Sequence, residues 1–335
     1  MRLSGIVILL LTLLACEKDD PLLPGRFLTD QIGQADLFSR NGVDYQRQLY
    51  YDLSSNQVVR SNQRDAWDVA IGCNLDDPNL YVNPATNLAV AATGSTDFYG
   101  SYSPSDYAFR FERAERFFER GWIAEDFVGG AAGQEVFILN LGRSLNNQRR
   151  GFKLLQVLSI EPDAYNLRIA NLDHSDLQEV RVEVDSRYNF VYLSLERPDS
   201  TMLLEPPREE WDLYFSRYME RLYDGSDTLD YSVTGCLINP FNTTAYYDQE
   251  SSEDSTISYA SLRLEDVVES MLTDRQNVIG HDWKYFDLDA GSYQMESQKN
   301  YFVRDGNNVT YRLRFTGFYS NDGRKGAISF EYLPL

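Results

Sequence analysis

The most specific chemical signal in the chain is a cysteine at the end of a short apolar run. Arg2 precedes the run, and Leu13-Leu14-Ala15-Cys16 ends it. The run has about half of the roughly 20 apolar residues that a membrane-spanning helix needs, which is a signal-peptide length. A leucine three positions before a cysteine, with a small residue directly before it, resembles the bacterial lipobox. The sequence therefore predicts a signal peptide over residues 1–15 and acylation of the thiol and amine of Cys16.

The residues after Cys16 predict a tether to the outer membrane. Glu17-Lys18-Asp19-Asp20 resembles an export tag of some Gram-negative surface lipoproteins, and an ordinary solvated tether is the alternative. Pro21 and Pro24 forbid a continuous helix, so we expect the lipidated cysteine and a flexible linker over residues 16–42. Nothing later in the sequence is long and apolar enough to span a bilayer. We therefore expect a protein anchored by lipid in the outer membrane, at the cell surface.

The net charge and the scarcity of metal ligands exclude several function classes. The chain has 31 Lys and Arg against 51 Asp and Glu, a net charge of −20, which argues against binding nucleic acid through its phosphates. Its two histidines, His174 and His281, form no cluster, and three cysteines are too few for a disulfide scaffold or a Cys-rich zinc site. The sequence contains no nucleophile elbow, phosphate loop or metalloprotease motif. We therefore expect neither an enzyme nor a metal site.

Alternation of apolar and polar residues predicts an all-β protein with short helical segments. Residues 181–185 alternate strictly, and Tyr311, Leu313 and Phe315 share one face of a predicted strand. Clusters of Gly, Pro, Asn and Asp separate the strands as turns. The other predicted strands are residues 46–53, 67–71, 135–139, 152–160, 190–195, 232–238 and 327–332. The helical features lie in residues 108–121 and residues 262–272.

A set of landmarks occurs twice in the same order. The segment Trp67-Asp68-Val69-Ala70-Ile71 is similar to Trp211-Asp212-Leu213-Tyr214-Phe215. An Asn-Pro pair follows each segment, at Asn83 and at Asn239. An aromatic strand precedes each Trp-Asp pair. Chance similarity among aromatic strands is the alternative. The order favours two related β-rich halves, residues 43–175 and residues 176–335.

The Trp-Asp pairs are best explained as parts of the core. A buried indole needs a partner for its N–H group, and the neighbouring Asp68 or Asp212 can accept that bond or cap the turn behind it. A catalytic acid would also need a cleft and a second group, and the sequence indicates neither. Cys73 and Cys236 occupy different positions in the two halves, so we prefer two buried thiols to a disulfide.

Several segments resemble the HmuY family of bacterial outer-membrane lipoproteins, and here they form a long version with two related halves. Besides the two Trp-Asp strands, the carrying segments are Val233-Thr234-Gly235-Cys236, Ile279-Gly280-His281-Asp282-Trp283, Tyr301-Phe302-Val303-Arg304-Asp305, Tyr311-Arg312-Leu313-Arg314-Phe315 and Gly326-Ala327-Ile328-Ser329-Phe330. The resemblance implies an all-β fold. For the best-known member, it implies haem capture outside the cell for a TonB-type receptor.

The carrying segments do not include the pair of histidines that ligates haem in the haem-binding member of the family. The haem-binding member uses a pair of histidines on neighbouring parts of the fold, and this chain offers only His174 and His281 as candidates. His174 lies in a polar turn near the boundary of the halves, and His281 lies beside Asp282-Trp283. Neutral imidazole can ligate iron. Turn and surface roles for two histidines so far apart are the alternative that their spacing favours.

The predicted function is capture of haem, or of a related tetrapyrrole or hydrophobic ligand, for uptake by a surface lipoprotein. The expected partners are the outer membrane, haem and a TonB-type receptor, with haem as a non-catalytic ligand. The chain contains 23 Tyr and 18 Phe, whose rings suit a flat ligand, although a β core needs them equally. The alternative is a structural, adhesion or glycan-binding surface lipoprotein without haem.

Overall fold

The computed structural model describes residues 29–39, 44–75, 78–114, 127–128, 131–225, 227–249 and 257–335. The predicted signal peptide and Cys16 lie outside these ranges, as does most of the predicted linker. The described residues are almost entirely β, which confirms the predicted fold class. Helical structure in them consists of short turns, among them the 3-10 turns Pro84–Thr86, Pro104–Asp106, Tyr259–Ser261, Leu264–Asp266 and Glu269–Met271.

Each predicted strand overlaps a strand of the structure, which also contains strands that the sequence did not predict. In chain order they are β1 (Gln31–Asp36), β2 (Arg47–Asp52), β3 (Gln57–Gln63), β4 (Val69–Gly72), β5 (Leu80–Val82), β6 (Ala89–Ala92), β7 (Arg110–Phe111), β8 (Phe127–Val128), β9 (Ala131–Ala132), β10 (Val136–Asn140), β11 (Phe152–Glu161), β12 (Ala164–Ala170), β13 (Gln178–Glu183), β14 (Phe190–Ser194), β15 (Arg197–Met202), β16 (Leu213–Asp224), β17 (Asp227–Ile238), β18 (Thr244–Asp248), β19 (Lys284–Asp287), β20 (Ser292–Met295), β21 (Asn300–Arg304), β22 (Thr310–Tyr319) and β23 (Lys325–Pro334).

These strands form two sandwiches, each with its own core. The terminal sandwich, built from β1–β3 and β16–β23, has a five-stranded sheet β1-β23-β22-β21-β18 and a four-stranded sheet β17-β16-β2-β3. The middle sandwich, built from β4–β15, has a six-stranded sheet β13-β12-β11-β10-β6-β7 and a four-stranded sheet β15-β14-β4-β5. Strand pairing within these four sheets is antiparallel. The remaining pairs, β8–β9 and β19–β20, are hairpins.

Alternation along the strands directs apolar side chains into the two cores. On β22, Tyr311, Leu313 and Phe315 face the core of the terminal sandwich, as the sequence predicts. On β12, Tyr165 and Leu167 face the core of the middle sandwich in the same way. Each core thus lies between two sheets, where burial of large apolar side chains stabilises the fold.

The predicted boundary at residues 175 and 176 does not separate the two sandwiches. The chain leaves the terminal sandwich after β3 and returns to it after β15, so each sandwich contains strands from both predicted halves. β2 pairs with β16, and β4 pairs with β14. Local alternation predicts that a strand exists but not which distant strand it pairs with. The linker prediction is corrected as well, because Gln31–Asp36 within residues 16–42 forms β1 against β23.

The predicted helix over residues 262–272 is wrong. The segment forms successive 3-10 turns separated by extended residues, so the side chains that face inward recur every five positions, at Leu262, Val267 and Leu272. Leu264 and Met271, which a helix would have placed on the buried face, are about half exposed. The predicted helix over residues 108–121 is also wrong where the structure describes it, since Arg110–Phe111 is a strand.

Candidate functional site

The two Trp-Asp pairs lie where the chain crosses between the sandwiches, and they make equivalent backbone contacts. The Asp68 N–H donates to the Leu193 carbonyl (2.8 Å), and its carboxylate accepts from the Leu195 N–H (2.8 Å). At the second crossing, the Asp212 N–H donates to the Tyr51 carbonyl (2.9 Å), and its carboxylate accepts from the Leu53 N–H (2.8 Å). Each aspartate therefore ties the strand that it begins to the end of a strand from the other predicted half.

The two asparagines of the repeated Asn-Pro pairs complete each crossing. The Asn83 amide donates to the carbonyls of Arg64 and Trp67, at 2.7 and 2.8 Å. The Asn239 amide donates to the carbonyls of Arg208 and Trp211, at 2.7 and 3.0 Å. Buried carbonyls need such partners, so these contacts give the crossings a structural role.

The aspartates do not accept the indole N–H bonds, contrary to one of the two sequence interpretations. The Trp67 indole donates instead to the Gln48 side chain (2.9 Å). The other interpretation, that the aspartates cap a neighbouring backbone segment, is confirmed by the contacts of Leu53 and Leu195. Both carboxylates are almost fully buried, and burial raises the pKa of Asp212 to about 7.

His174 lies at the end of the middle sandwich with its ring partly exposed. It follows β12 in a turn with a left-handed backbone (φ 61°), and its Nε2 lies 3.0 Å from the Phe98 carbonyl oxygen. A carbonyl only accepts, so Nε2 carries the proton and Nδ1 keeps its lone pair in the neutral ring. The ring of Tyr99, which is 62% exposed, lies 5.8 Å from the imidazole. This arrangement can present Nδ1 to a metal ion beside an aromatic surface.

His281 lies in the terminal sandwich, in a more enclosed environment. Burial lowers its pKa, and the neighbouring Lys284 ammonium adds to that effect. Lys284 is itself buried, and burial lowers its pKa to about 7. The Lys284 ammonium donates to the carbonyls of Thr234 (2.6 Å) and His281 (3.2 Å). It also lies 4.1 Å from the centre of the Trp283 ring. These contacts give the His281 region the character of a packed interior.

The structure does not bring the two histidines together. His174 contacts Phe98 and Tyr99 in the middle sandwich, whereas His281 precedes β19 and lies near Lys284 in the terminal sandwich. A pair of imidazoles on opposite faces of one haem is therefore not formed by these residues. In the described part of the chain, no cluster of three or more His, Cys, Asp and Glu side chains could hold a metal ion.

A small cleft lies where the two sandwiches meet, partly open to solvent. We call it the Asn189 cleft. Its side chains are three amides and three aromatic rings: Asn74, Asn79, Tyr81, Asn189 and Phe190 from the middle sandwich, and Phe241 from the terminal sandwich. The backbone beside it is held by Glu205, whose carboxylate accepts from the Phe190 N–H (2.6 Å). Burial raises the pKa of Glu205 to about 8.

Two further sequence predictions concern cysteines and membrane spans. Cys73 and Cys236 are separate buried thiols that lie in different cores, which confirms the preferred interpretation. Burial raises the pKa of the Cys73 thiol to about 12. Over the described ranges, no helix combines the length and apolar character needed to cross a membrane.

Comparison with protein families gives a match over the C-terminal part of the chain. A family model described as HmuY protein matches residues 186–332. Over these residues the chain is similar to the HmuY family. The match runs from just before β14 to β23, so it includes His281 and Phe241 but not His174. The predicted resemblance is thereby confirmed for the C-terminal part of the chain.

Several solved structures align with the chain at low identity. Apo PinO from Porphyromonas gingivitis is 10% identical, with 92% of this chain and 97% of that chain covered, at a TM-score of 0.29. A protein from Bacteroides vulgatus ATCC 8482, described as HmuY-like and heme-binding, is 12% identical over 53% of this chain and 96% of its own, at a TM-score of 0.25. The apo HmuY analog of Tannerella forsythia is 14% identical over 50% and 88%, at a TM-score of 0.23. No curated protein matches the chain.

Sequence reasoning missed the Asn189 cleft. Its residues come from three separate stretches of the chain, and the only signal was the repeated Asn-Pro pair, which places Phe241 two residues after Asn239. Residues 189 and 241 meet only because the chain crosses between the sandwiches near both. Nothing in the local pattern indicates that juxtaposition.

Proposed function

We propose that the protein is a lipid-anchored binding protein of the cell surface that captures haem or a related flat tetrapyrrole for uptake. The observation that carries the proposal is the HmuY family match over residues 186–332. The HmuY match and the β sandwiches of the described residues support a binding role. The protein is therefore proposed to act on its ligand by holding it and delivering it, with no enzymatic step.

We propose that His174 would ligate the iron of a bound haem. In metal sites, a ligating histidine usually donates its second ring N–H to a backbone carbonyl or carboxylate, which fixes the tautomer. The bond between Nε2 of His174 and the Phe98 carbonyl supplies that support and leaves Nδ1 for iron. The exposed ring of Tyr99 offers a flat surface for the porphyrin plane. The residues therefore fit haem with one imidazole ligand rather than two.

Haemin titration followed by the Soret band tests this proposal. We expect a saturable Soret shift with the purified protein at neutral pH, and its loss in His174→Ala. His281→Ala is the matched control, because His281 lies in the other sandwich and should leave the spectrum unchanged. The absence of any saturable Soret change in the unmodified protein would refute haem capture. A shift that survives His174→Ala would refute the ligand assignment alone.

We also propose anchoring by acylated Cys16 in the outer membrane and transfer of the ligand to a TonB-type receptor. The Leu13-Leu14-Ala15-Cys16 signal supports the anchor. Membrane fractionation of cells that express Cys16→Ala tests it, and retention of most of the variant in the outer membrane would contradict it. Protease added to intact cells should digest the protein if Lys18-Asp19-Asp20 acts as an export tag. An undigested protein would indicate the periplasmic face instead.

A further inference from the structure

A buried carboxyl group lies where the chain crosses from the middle sandwich to the terminal one. Glu205 is 1% exposed, and it forms no ion pair with any residue that the structure describes. A buried carboxyl group without a counter-ion avoids a costly charge by keeping its proton. Burial accordingly raises the pKa of Glu205 to about 8, so the group is protonated at neutral pH.

Two tyrosine hydroxyls connect this carboxyl group to the other sandwich. The Tyr192 hydroxyl lies 3.3 Å from Oε2 of Glu205, and the Tyr50 hydroxyl lies 3.3 Å from that of Tyr192. Oε1 of Glu205 accepts from the Phe190 N–H at 2.6 Å, which leaves Oε2 as the oxygen that carries the proton. Tyr192 belongs to β14 of the middle sandwich and Tyr50 to β2 of the terminal one. The chain of three groups therefore crosses the junction.

Neighbouring aromatic rings hold both phenols in place. The Trp67 indole packs edge-on against Tyr192 at 5.0 Å, and the Trp211 indole packs edge-on against Tyr50 at 4.9 Å. The ring of Tyr214 lies 4.8 Å from that of Tyr50 on a further side. Because close-packed rings do not move freely, the hydroxyl oxygens keep their positions, and only their hydrogens can turn.

The protonation state of Glu205 sets the direction of this chain. A neutral carboxyl group can donate its proton to Tyr192, whereas a carboxylate only accepts. In the ionised state, Tyr192 therefore donates to Glu205, and Tyr50 can donate to Tyr192. Hydrogen bonds to an ionised acceptor are about twice as strong as those between neutral groups, and successive bonds in a chain polarise one another. Loss of the Glu205 proton therefore strengthens the contact between the two tyrosines.

The other titratable and charged groups near Glu205 leave this role to the tyrosines. Burial raises the pKa of the Cys73 thiol to about 12 and also raises the pKa of Tyr214, so both groups stay neutral while Glu205 titrates. The Arg208 guanidinium favours the ionised form of Glu205 by its charge, but it donates to a backbone carbonyl, at 2.7 Å. Among the described side chains, the one that hydrogen-bonds to Glu205 is Tyr192.

We propose that Glu205, Tyr192 and Tyr50 form a proton-linked coupling between the two sandwiches. At neutral pH the chain is a weak contact between neutral groups. When Glu205 loses its proton, both hydroxyl hydrogens turn towards the carboxylate, and Tyr50 of the terminal sandwich supports a charge at the end of the middle one. The junction is therefore tighter in alkaline solution than at neutral pH.

Urea melts between about pH 5 and pH 9.5 test the proposal. Each protein is compared with its Glu205→Gln counterpart, so that the titration of other groups cancels in the difference. Folding raises the pKa of Glu205 from 4.5 to about 8, so this stability difference falls as the pH rises and becomes constant above the folded pKa. We call the pH at which it becomes constant the plateau pH.

Removal of either hydroxyl should raise the plateau pH, because the ionised form of Glu205 loses support. Tyr192→Phe removes the direct donor and should raise it by about one unit. Tyr50→Phe removes only the distant hydroxyl and should raise it by about half a unit. The effect of Tyr50→Phe is decisive, since this residue belongs to the other sandwich and does not contact the carboxyl group.

Tyr301→Phe is the matched control. Tyr301 is a buried tyrosine of the terminal sandwich, and its hydroxyl donates to the Ile279 carbonyl at 3.3 Å. This variant should keep the plateau pH of the unmodified protein. If Glu205→Gln fails to fold, the stability curves of Tyr50→Phe and Tyr301→Phe are compared directly over the same pH range. An unchanged plateau pH in Tyr50→Phe overturns the proposal, and so does an equal rise in Tyr301→Phe.

Discussion

The two crossings between the sandwiches carry the same motif but neutralise their buried carboxylates differently. At the first crossing, Asp68 meets the Arg150 guanidinium through two bonds, at 2.6 and 3.1 Å. At the second crossing, Asp212 meets the hydroxyl of Thr243 at 3.4 Å and no cation among the described residues, while Asp305 and Asp52 add repulsion. Burial raises the pKa of both carboxyls, and at Asp68 the guanidinium opposes that shift. Each carboxyl group accepts a hydrogen bond from a backbone N–H group. At the first crossing this group is part of an ion pair, and at the second it is an acid that is readily protonated.

The indoles differ as well. The Trp67 N–H donates to Gln48 of the terminal sandwich, whereas the buried Trp211 N–H has no partner in the structure. Each indole nevertheless packs edge-on against an equivalent tyrosine: Trp67 against Tyr192 at 5.0 Å, and Trp211 against Tyr50 at 4.9 Å. The shared ring packing explains why both tryptophans are present. The hydrogen-bond and charge partners nevertheless differ between the two copies of the motif.

Removal of each indole gives the largest expected effect. Trp67→Ala and Trp211→Ala should each lower the free energy of unfolding by about 3–5 kcal/mol, because each leaves a cavity under a sheet. The Trp67 variant should lose about 1 kcal/mol more, since it also leaves the buried Gln48 oxygen without its donor. Urea melts of the two variants measure the difference. A Trp67→Ala protein as stable as the unmodified one would contradict the equivalence of the crossings.

Removal of the cation at the first crossing should be nearly as costly. Arg150→Ala leaves Asp68 buried without a counter-ion, which typically costs about 3–5 kcal/mol. The double variant Arg150→Ala with Asp68→Asn should recover part of that loss, because the amide needs no counter-ion and still accepts from Leu195. Denaturant melts of the single and double variants test this. Equal stability of the two would show that the charge of Asp68 does not matter.

The raised pKa of Asp212 predicts that the free energy of unfolding depends on pH. Folding raises its pKa from 3.8 to about 7, so between these values the folded chain holds a proton that the unfolded chain has released. Its contribution to stability is therefore largest below about pH 4, falls as the pH rises to about 7, and is constant above. One pKa unit corresponds to about 1.4 kcal/mol, so the total is a few kcal/mol at most.

Urea melts of Asp212→Asn between about pH 5 and pH 8 check this expectation. The variant should lose less stability over that range than the unmodified protein, because its amide does not titrate. Glu205→Gln serves as the comparison, since burial raises the pKa of Glu205 to about 8 and gives the same sign over a wider range. Asp212→Asn with an unchanged pH profile would contradict the assignment.

The sequence predicts many of the strands and the equivalence of the Trp-Asp pairs, because both depend on local patterns. Tyr311, Leu313 and Phe315 alternate along β22, and their pattern alone predicts a buried face. Local patterns do not predict the partners of the aspartates, since Arg150 is 82 positions from Asp68 and Leu53 is 159 positions from Asp212. Which sandwich a strand joins depends on pairing across the whole chain.

The same limit applies to the candidate sites. His174 was identified from its residue type, but its carbonyl partner Phe98 is 76 positions away, and that contact determines which nitrogen can bind iron. The near-helical spacing of Leu262, Leu264, Val267, Val268 and Met271 predicts a helix, but the side chains that face inward are Leu262, Val267 and Leu272. Several spacings fit a short apolar-rich segment, and only its packing partner selects one.

The smallest expected effect concerns one hydroxyl at each crossing. Thr243 donates to Asp212 at 3.4 Å, and Ser194 donates to Asp68 at the same distance. Thr243→Val should cost about 1 kcal/mol near pH 5, where Asp212 is protonated, and more near pH 8.5, because hydrogen bonds to a charged group are about twice as strong. Ser194→Ala should cost about the same at both values, since Arg150 keeps the Asp68 carboxylate paired throughout. Urea melts of both variants at the two pH values measure these costs. If the cost changes with pH equally in both variants, Asp68 and Asp212 have the same charge state at each pH, contrary to this prediction.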